Sequence, residues 1–194
     1  MDNHRNDQGG HMEGNEQLAV IIPMLKQVGA AITPEQLDGP TPCASFSVAD
    51  VLEHMTGLAS GFAPAFRGEA PPSADAVDSR GLGERFQASM DALLGAVQSA
   101  GALERTIETP FGPMPGAAFA RLVAFDGLIH GWDLATSTSQ AWNPPNDVVA
   151  EVDGFARQAL APAMRDGDTF ADEKPVAPNA SALDRLVAFS GRTV

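Results

Sequence analysis

The stretch from Gly116 to Ser137 has few polar side chains, and three of them fall where a helix would face a core. At about 100° per residue, Leu122, Val123, Asp126, His130 and Asp133 fall in one band around Phe119. Phe125, Leu128, Ile129 and Trp132 widen the apolar arc, and Ala124, Gly127 and Gly131 keep the remaining side small. A helix that is apolar or small nearly all round is buried. Asp126 and His130 therefore sit one turn apart on a face that looks inward. An ionised carboxylate among apolar neighbours costs several kcal/mol unless something positive meets it. A divalent cation answers that demand, because an Asp oxygen and a His nitrogen at i and i+4 converge on one point. An ordinary buried hydrogen-bonded pair answers it too.

The rest of the chain reads as helices around that segment. Leu18, Ile21, Ile22, Leu25 and Val28 give three- and four-residue spacing over Glu16 to Ala30, with Pro23 an awkward interruption that suggests a later start. Ser47, with Asp50 three residues on, opens a second helix, whose stripe of Val48, Val51, Leu52, Met55, Leu58, Ala59 and Phe62 ends near Pro64. A loop from Arg67 to Arg80 precedes a third helix carrying Leu82, Phe86, Met90, Leu93, Leu94 and Val97. Thr106 to Pro115, rich in proline, reads as a rigid loop or a short extended excursion. A weaker helix covers Asp147 to Leu160, and a last turn covers Ser181 to Phe189. No convincing strand pattern appears. The expected class is all-α, a four-helix bundle with a short C-terminal helical addition.

The leader, residues 1–14, is polar and without an apolar core of a signal peptide, so it is expected to be disordered, with 15–194 forming one domain. A net charge of −13 with no basic cluster argues against nucleic acid and against an anionic membrane surface as partners. No run approaches the ~18 apolar residues of a membrane span. The lone Cys43 agrees with a reducing compartment, and the cytoplasm is the expected location.

A third ligand for Asp126 and His130 would come from another helix. His4 and His11 lie in the leader, which leaves His54, on the flank of the second helix beside Gly57 and Gly61. The spacing permits that role without compelling it, and a boundary histidine is the plainer alternative. Asp133 either hydrogen-bonds a ligand or pairs with an arginine such as Arg121 or Arg185. Cys43 is either a nucleophile activated by His54 or a small buried hydrophobe. Nucleotide loops, the hydrolase elbow, the zinc-protease helix motif and the thioredoxin motif are all missing.

The block from Thr41-Pro42-Cys43 through Phe46-Ser47-Val48, Asp50 and Val51-Leu52 to His54 resembles the opening of the DinB-like proteins. More narrowly, it is similar to the branch related to the N-terminal domain of mycothiol-dependent maleylpyruvate isomerase. Asp126-Gly127-Leu128-Ile129-His130-Gly131-Trp132-Asp133-Leu134-Ala135 resembles a second block of that branch, and Asp184 to Arg192 resembles its ending. The resemblance implies a DinB-like four-helix bundle holding one divalent metal through His54, Asp126 and His130. Zinc suits that donor set best, and nickel, manganese or iron(II) also accept it.

The resemblance further implies a low-molecular-weight thiol of the mycothiol type, made nucleophilic at the metal, in a transferase, isomerase or detoxification reaction on a small-molecule substrate. Arg80, Arg85 or Arg121 would assist an anionic substrate. The alternative is a non-catalytic metal-binding stress-response or partner-binding protein, and a homodimer is compatible with either. Phe46 stands where the family often has Trp, a packing change of little chemical weight, and Asp126 stands where the isomerase has Glu. The isomerase also has a further C-terminal domain that contributes to its active site. Only residues 138–194 follow the fourth helix here, so the isomerisation itself is not expected.

Overall fold

The structure, a computed structural model, describes residues 11–70, 78–109, 112–160, 165 and 170–194. Six helices and one hairpin make up its regular elements. They are α1 (Gly14–Ala30), α2 (Val48–Arg67), α3 (Leu82–Val97), β1 (Thr106–Thr109), β2 (Gly112–Pro115), α4 (Gly116–Ser137), α5 (Asn146–Ala159) and α6 (Ala182–Phe189), with a 3₁₀ turn at Pro34–Gln36. The class is all-α, as the periodicity predicts. No helix among the described residues is long and apolar enough to cross a membrane.

Local chemistry sets the helix starts. At α2 the Asp50 amide donates to Ser47 Oγ (3.2 Å) and the Ser47 amide donates to Asp50 Oδ2 (2.9 Å). Ser181 and Asp184 repeat the pattern at α6, at 3.0 and 3.2 Å. The two interior prolines do not end their helices. α1 starts at Gly14, ahead of the predicted Glu16, and runs through Pro23; α2 continues past Pro64 to Arg67. Each proline removes a donor to the carbonyl four residues back. Those carbonyls belong to Ala19 and Ser60, both exposed residues, where a carbonyl without its helical donor costs least. Gly68, at φ +72, then closes α2 in the left-handed conformation that favours glycine.

The absence of strands is corrected by β1 and β2, which pair antiparallel with Thr106 opposite Pro115 and Thr109 opposite Gly112. Among the described residues this ribbon has no further strand neighbour, so Pro113 and Pro115 break no larger ladder there. Ile107 is its buried anchor, at 2% exposure. The ribbon also serves α4. The amides of Gly116 and Ala117 donate to the carbonyls of Arg105 (2.7 Å) and Leu103 (2.9 Å), which satisfies a helix start lacking a side-chain cap.

In the bundle α1 packs on α4 and α3, and α2 packs on α3 and α4; α5 covers α4 and α6 covers α5. α4 is therefore flanked by α1, α2 and α5, which explains why it is apolar almost all round. Gly131 marks a close approach of α4 to the segment before α5: a Cβ there would lie 2.3 Å from the Trp142 ring.

Candidate metal-binding site

α2 and α4 face each other near their middles, and this brings His54 to Asp126 and His130. Asp126 Oδ1 lies 3.6 Å from His130 Nε2 and 4.0 Å from His54 Nε2. One ligand atom from each of the three side chains lies within 4.8 Å of the others. Two ligand atoms held ~2.1 Å from one ion at a tetrahedral angle sit about 3.4 Å apart. The donors are thus spaced slightly wider than a coordinated set and need only a small contraction. His54 Nε2 is buried and has no hydrogen-bond partner, a costly state for an imidazole nitrogen unless something occupies the point it faces. The residues present fit a divalent cation.

Asp126 is not sealed away. Its side chain keeps 21% exposure, against 5% for His130 and 26% for His54. Burial works to raise its carboxyl, but the positive charge that His130 and His54 carry when protonated, with Arg192 beyond, outweighs burial and holds the group below the usual carboxylate range. It stays ionised, as a ligand must be.

The fully enclosed carboxylate is Asp133, at 0% exposure. It accepts a hydrogen bond from Arg192 Nη2 at 3.1 Å, with Arg192 Nε at 3.4 Å from its other oxygen, and it lies 3.0 Å from His130 Nδ1. Asp133 thus makes both of the contacts weighed for it in the sequence, one to His130 and one to an arginine. Its arginine is neither Arg121 nor Arg185 but Arg192, from the segment after α6. Arg121 instead reaches Glu151 (3.8 Å) and covers the Phe155 ring. With the Asp133 carboxylate at Nδ1, the proton of neutral His130 belongs on that nitrogen and the Nε2 lone pair faces Asp126.

The loop ahead of α2 closes the site from a third side. Phe46 stacks on the His130 ring (6.4 Å between centroids, 24° between planes) and tilts against His54 (5.4 Å, 50°). It shields both imidazoles, a larger role than its place in the sequence suggests. Cys43 is buried and groups with His130 and Asp133.

A cavity of about 370 Å³ opens between the helices on the other side of the trio. His54 and Asp126 lie in its wall, and the rest of the lining is apolar, including Leu25, Met55, Phe62, Leu93, Phe119 and Phe170. Arg80 pairs with Asp78, Arg85 pairs with Glu53, and neither they nor Arg121 lines it.

Fold and site together define a helical bundle with a histidine–carboxylate–histidine cluster inside it. The family model described as the mycothiol maleylpyruvate isomerase N-terminal domain matches residues 21–135, more than half of the sequence, and the chain belongs to this family. Two uncharacterized proteins of Mycobacterium tuberculosis, from strains CDC 1551 / Oshkosh and H37Rv, are each 34% identical to it over 185 residues. The alignment covers 95% of this chain and 96% of each relative. No solved structure matches.

Proposed function

We propose that the protein is a divalent-metal-dependent enzyme that uses a low-molecular-weight thiol of the mycothiol type to transfer, isomerise or detoxify a small molecule. The observation that carries this reading is the unpartnered, buried Nε2 of His54, aimed at the point where Asp126 and His130 converge. Family membership supports the thiol. His54, Asp126 and His130 would hold the ion, with zinc the first candidate and nickel, manganese or iron(II) the others. Three protein donors leave a coordination position open, and a cation there favours the deprotonated form of a thiol brought to it.

The chain's own residues then have distinct tasks. Asp133, itself neutralised by Arg192, accepts the Nδ1 proton of His130 and keeps Nε2 turned toward the cluster. Phe46 shields the two imidazoles on the loop side. The cavity receives the substrate beside Asp126 and His54. The test is to incubate metal-loaded protein with a thiol and a model electrophile such as a chlorodinitrobenzene. A thiol-consuming rate that vanishes with chelator and in His130→Ala is expected. Stoichiometric metal with no metal-dependent rate across several electrophiles would replace the enzyme with a non-catalytic metal-binding protein.

A further inference from the structure

The resemblance that names the family also names a doubly anionic substrate, and the cavity is built for something else. Every described residue lining it is apolar except His54 and Asp126. These two sit together in the wall and belong to the proposed ligand set, so the polar surface is confined to one patch. No lysine or arginine appears among the described lining residues. Arg192, whose charge acts on Asp126, is committed to Asp133. A dicarboxylate could present one carboxylate to an ion at the cluster. Its second would lie among Leu, Met and Phe side chains with no partner, at a cost of several kcal/mol.

The volume, about 370 Å³, falls at the lower end of the range for small-molecule sites, roughly 300–1,000 Å³. Four helices and Phe170 contribute to the wall, so the space opens from the surface into the middle of the bundle.

We infer that the substrate is a small compound with an apolar body and a single polar, reactive end. The body fills the space between α1, α2, α3 and α4, and the polar end meets His54 and Asp126. This rests on the metal-dependent reading for the identity of the reactive end, and adds the class of molecule that the site accepts.

Straight-chain primary alcohols of increasing length serve as probes, with succinate as the doubly charged control. Each is titrated by calorimetry into metal-loaded and metal-free protein, and the metal content of each sample is measured. Affinity is expected to rise about three- to fourfold per added methylene until the cavity is full. Succinate is expected to bind more weakly than the longer alcohols in both samples. Leu58 and Ala59 line the space on α2. Ala59→Leu should exclude the longest alcohols, and Leu58→Ala, at a half-buried position, should admit longer ones; either shift alone supports the assignment.

An affinity independent of chain length, or succinate binding tighter than every alcohol, overturns it. If the alcohols behave as expected but no metal is ever retained, the metal reading fails and the cavity assignment stands. If metal is stoichiometric and the alcohol series is flat, the reverse holds.

Discussion

Replacing Arg192 with alanine strands a carboxylate in the interior, and the structure sets the size of the effect. Asp133 has no exposure and the Arg192 side chain keeps 5%, so water cannot take over when the guanidinium is removed. Breaking a buried ion pair from one side costs about 3–5 kcal/mol. His130 Nδ1, at 3.0 Å, remains a partner for the stranded oxygen and keeps the loss in the lower half of that range. For a chain of this length each kcal/mol moves Tm by roughly 2–4 °C, so Arg192→Ala should melt about 6–16 °C below wild type. Against a total stability of about 5–15 kcal/mol that is a large fraction. In an Asp133→Asn background Arg192 has already lost the carboxylate that balances it, so the same Arg192→Ala step removes a buried charge and should cost no more than about 1 kcal/mol. Thermal and urea unfolding of the four proteins in this cycle give the coupling directly. A loss below 1 kcal/mol in the single variant, or the same loss in both backgrounds, would refute the account of Asp133 as a charge neutralised by Arg192.

Three further perturbations probe the site. Asp133→Asn should keep the three proposed ligands but loosen the orientation of His130, lowering metal affinity about 10- to 100-fold in a chelator competition; unchanged affinity would remove Asp133 from the site. Gly131→Ala sets a methyl group within 2.3 Å of the buried Trp142 ring, so it should cost about 1–3 kcal/mol and shift the tryptophan emission; a neutral substitution would mean that this approach is looser than described. On acidification, metal should leave, because protons compete with the ion for ligand atoms. Asp126, held below the usual carboxylate range, stays ionised down to about pH 4, so metal lost above that pH is not lost through Asp126, and full retention down to it would count against histidine ligation.

The parts of this molecule that follow helical periodicity can be read from the amino acids. The stripe on α4 puts Asp126 and His130 on one face, and Ser47 with Asp50 marks the start of α2; both rest on contacts within a few residues. Arg192 could not be found that way. It meets Asp133 across 59 residues of sequence, and no local spacing connects them, although Arg192 closes the last block resembling the family. The weight of Phe46, a mere packing change in the sequence, depends on where the loop before α2 folds, against two rings on different helices. The hairpin was hidden by its own residues. Pro113, Pro115 and Gly112 read as breakers, and Ile107 is the only buried hydrophobic residue in the described pair of strands. The cavity is a shape made jointly by several elements, and no single segment encodes it.

The central claim is that His54, Asp126 and His130 together hold one divalent ion. Elemental analysis of protein purified without a histidine tag, alongside His54→Ala and His130→Ala, addresses it most directly. The account predicts about one ion per chain in the wild type and almost none in His130→Ala, with helical content retained in the far-ultraviolet circular dichroism of both. A wild type that retains none after exposure to zinc, nickel, manganese and iron(II), or a His130→Ala variant that keeps its full complement, would contradict it.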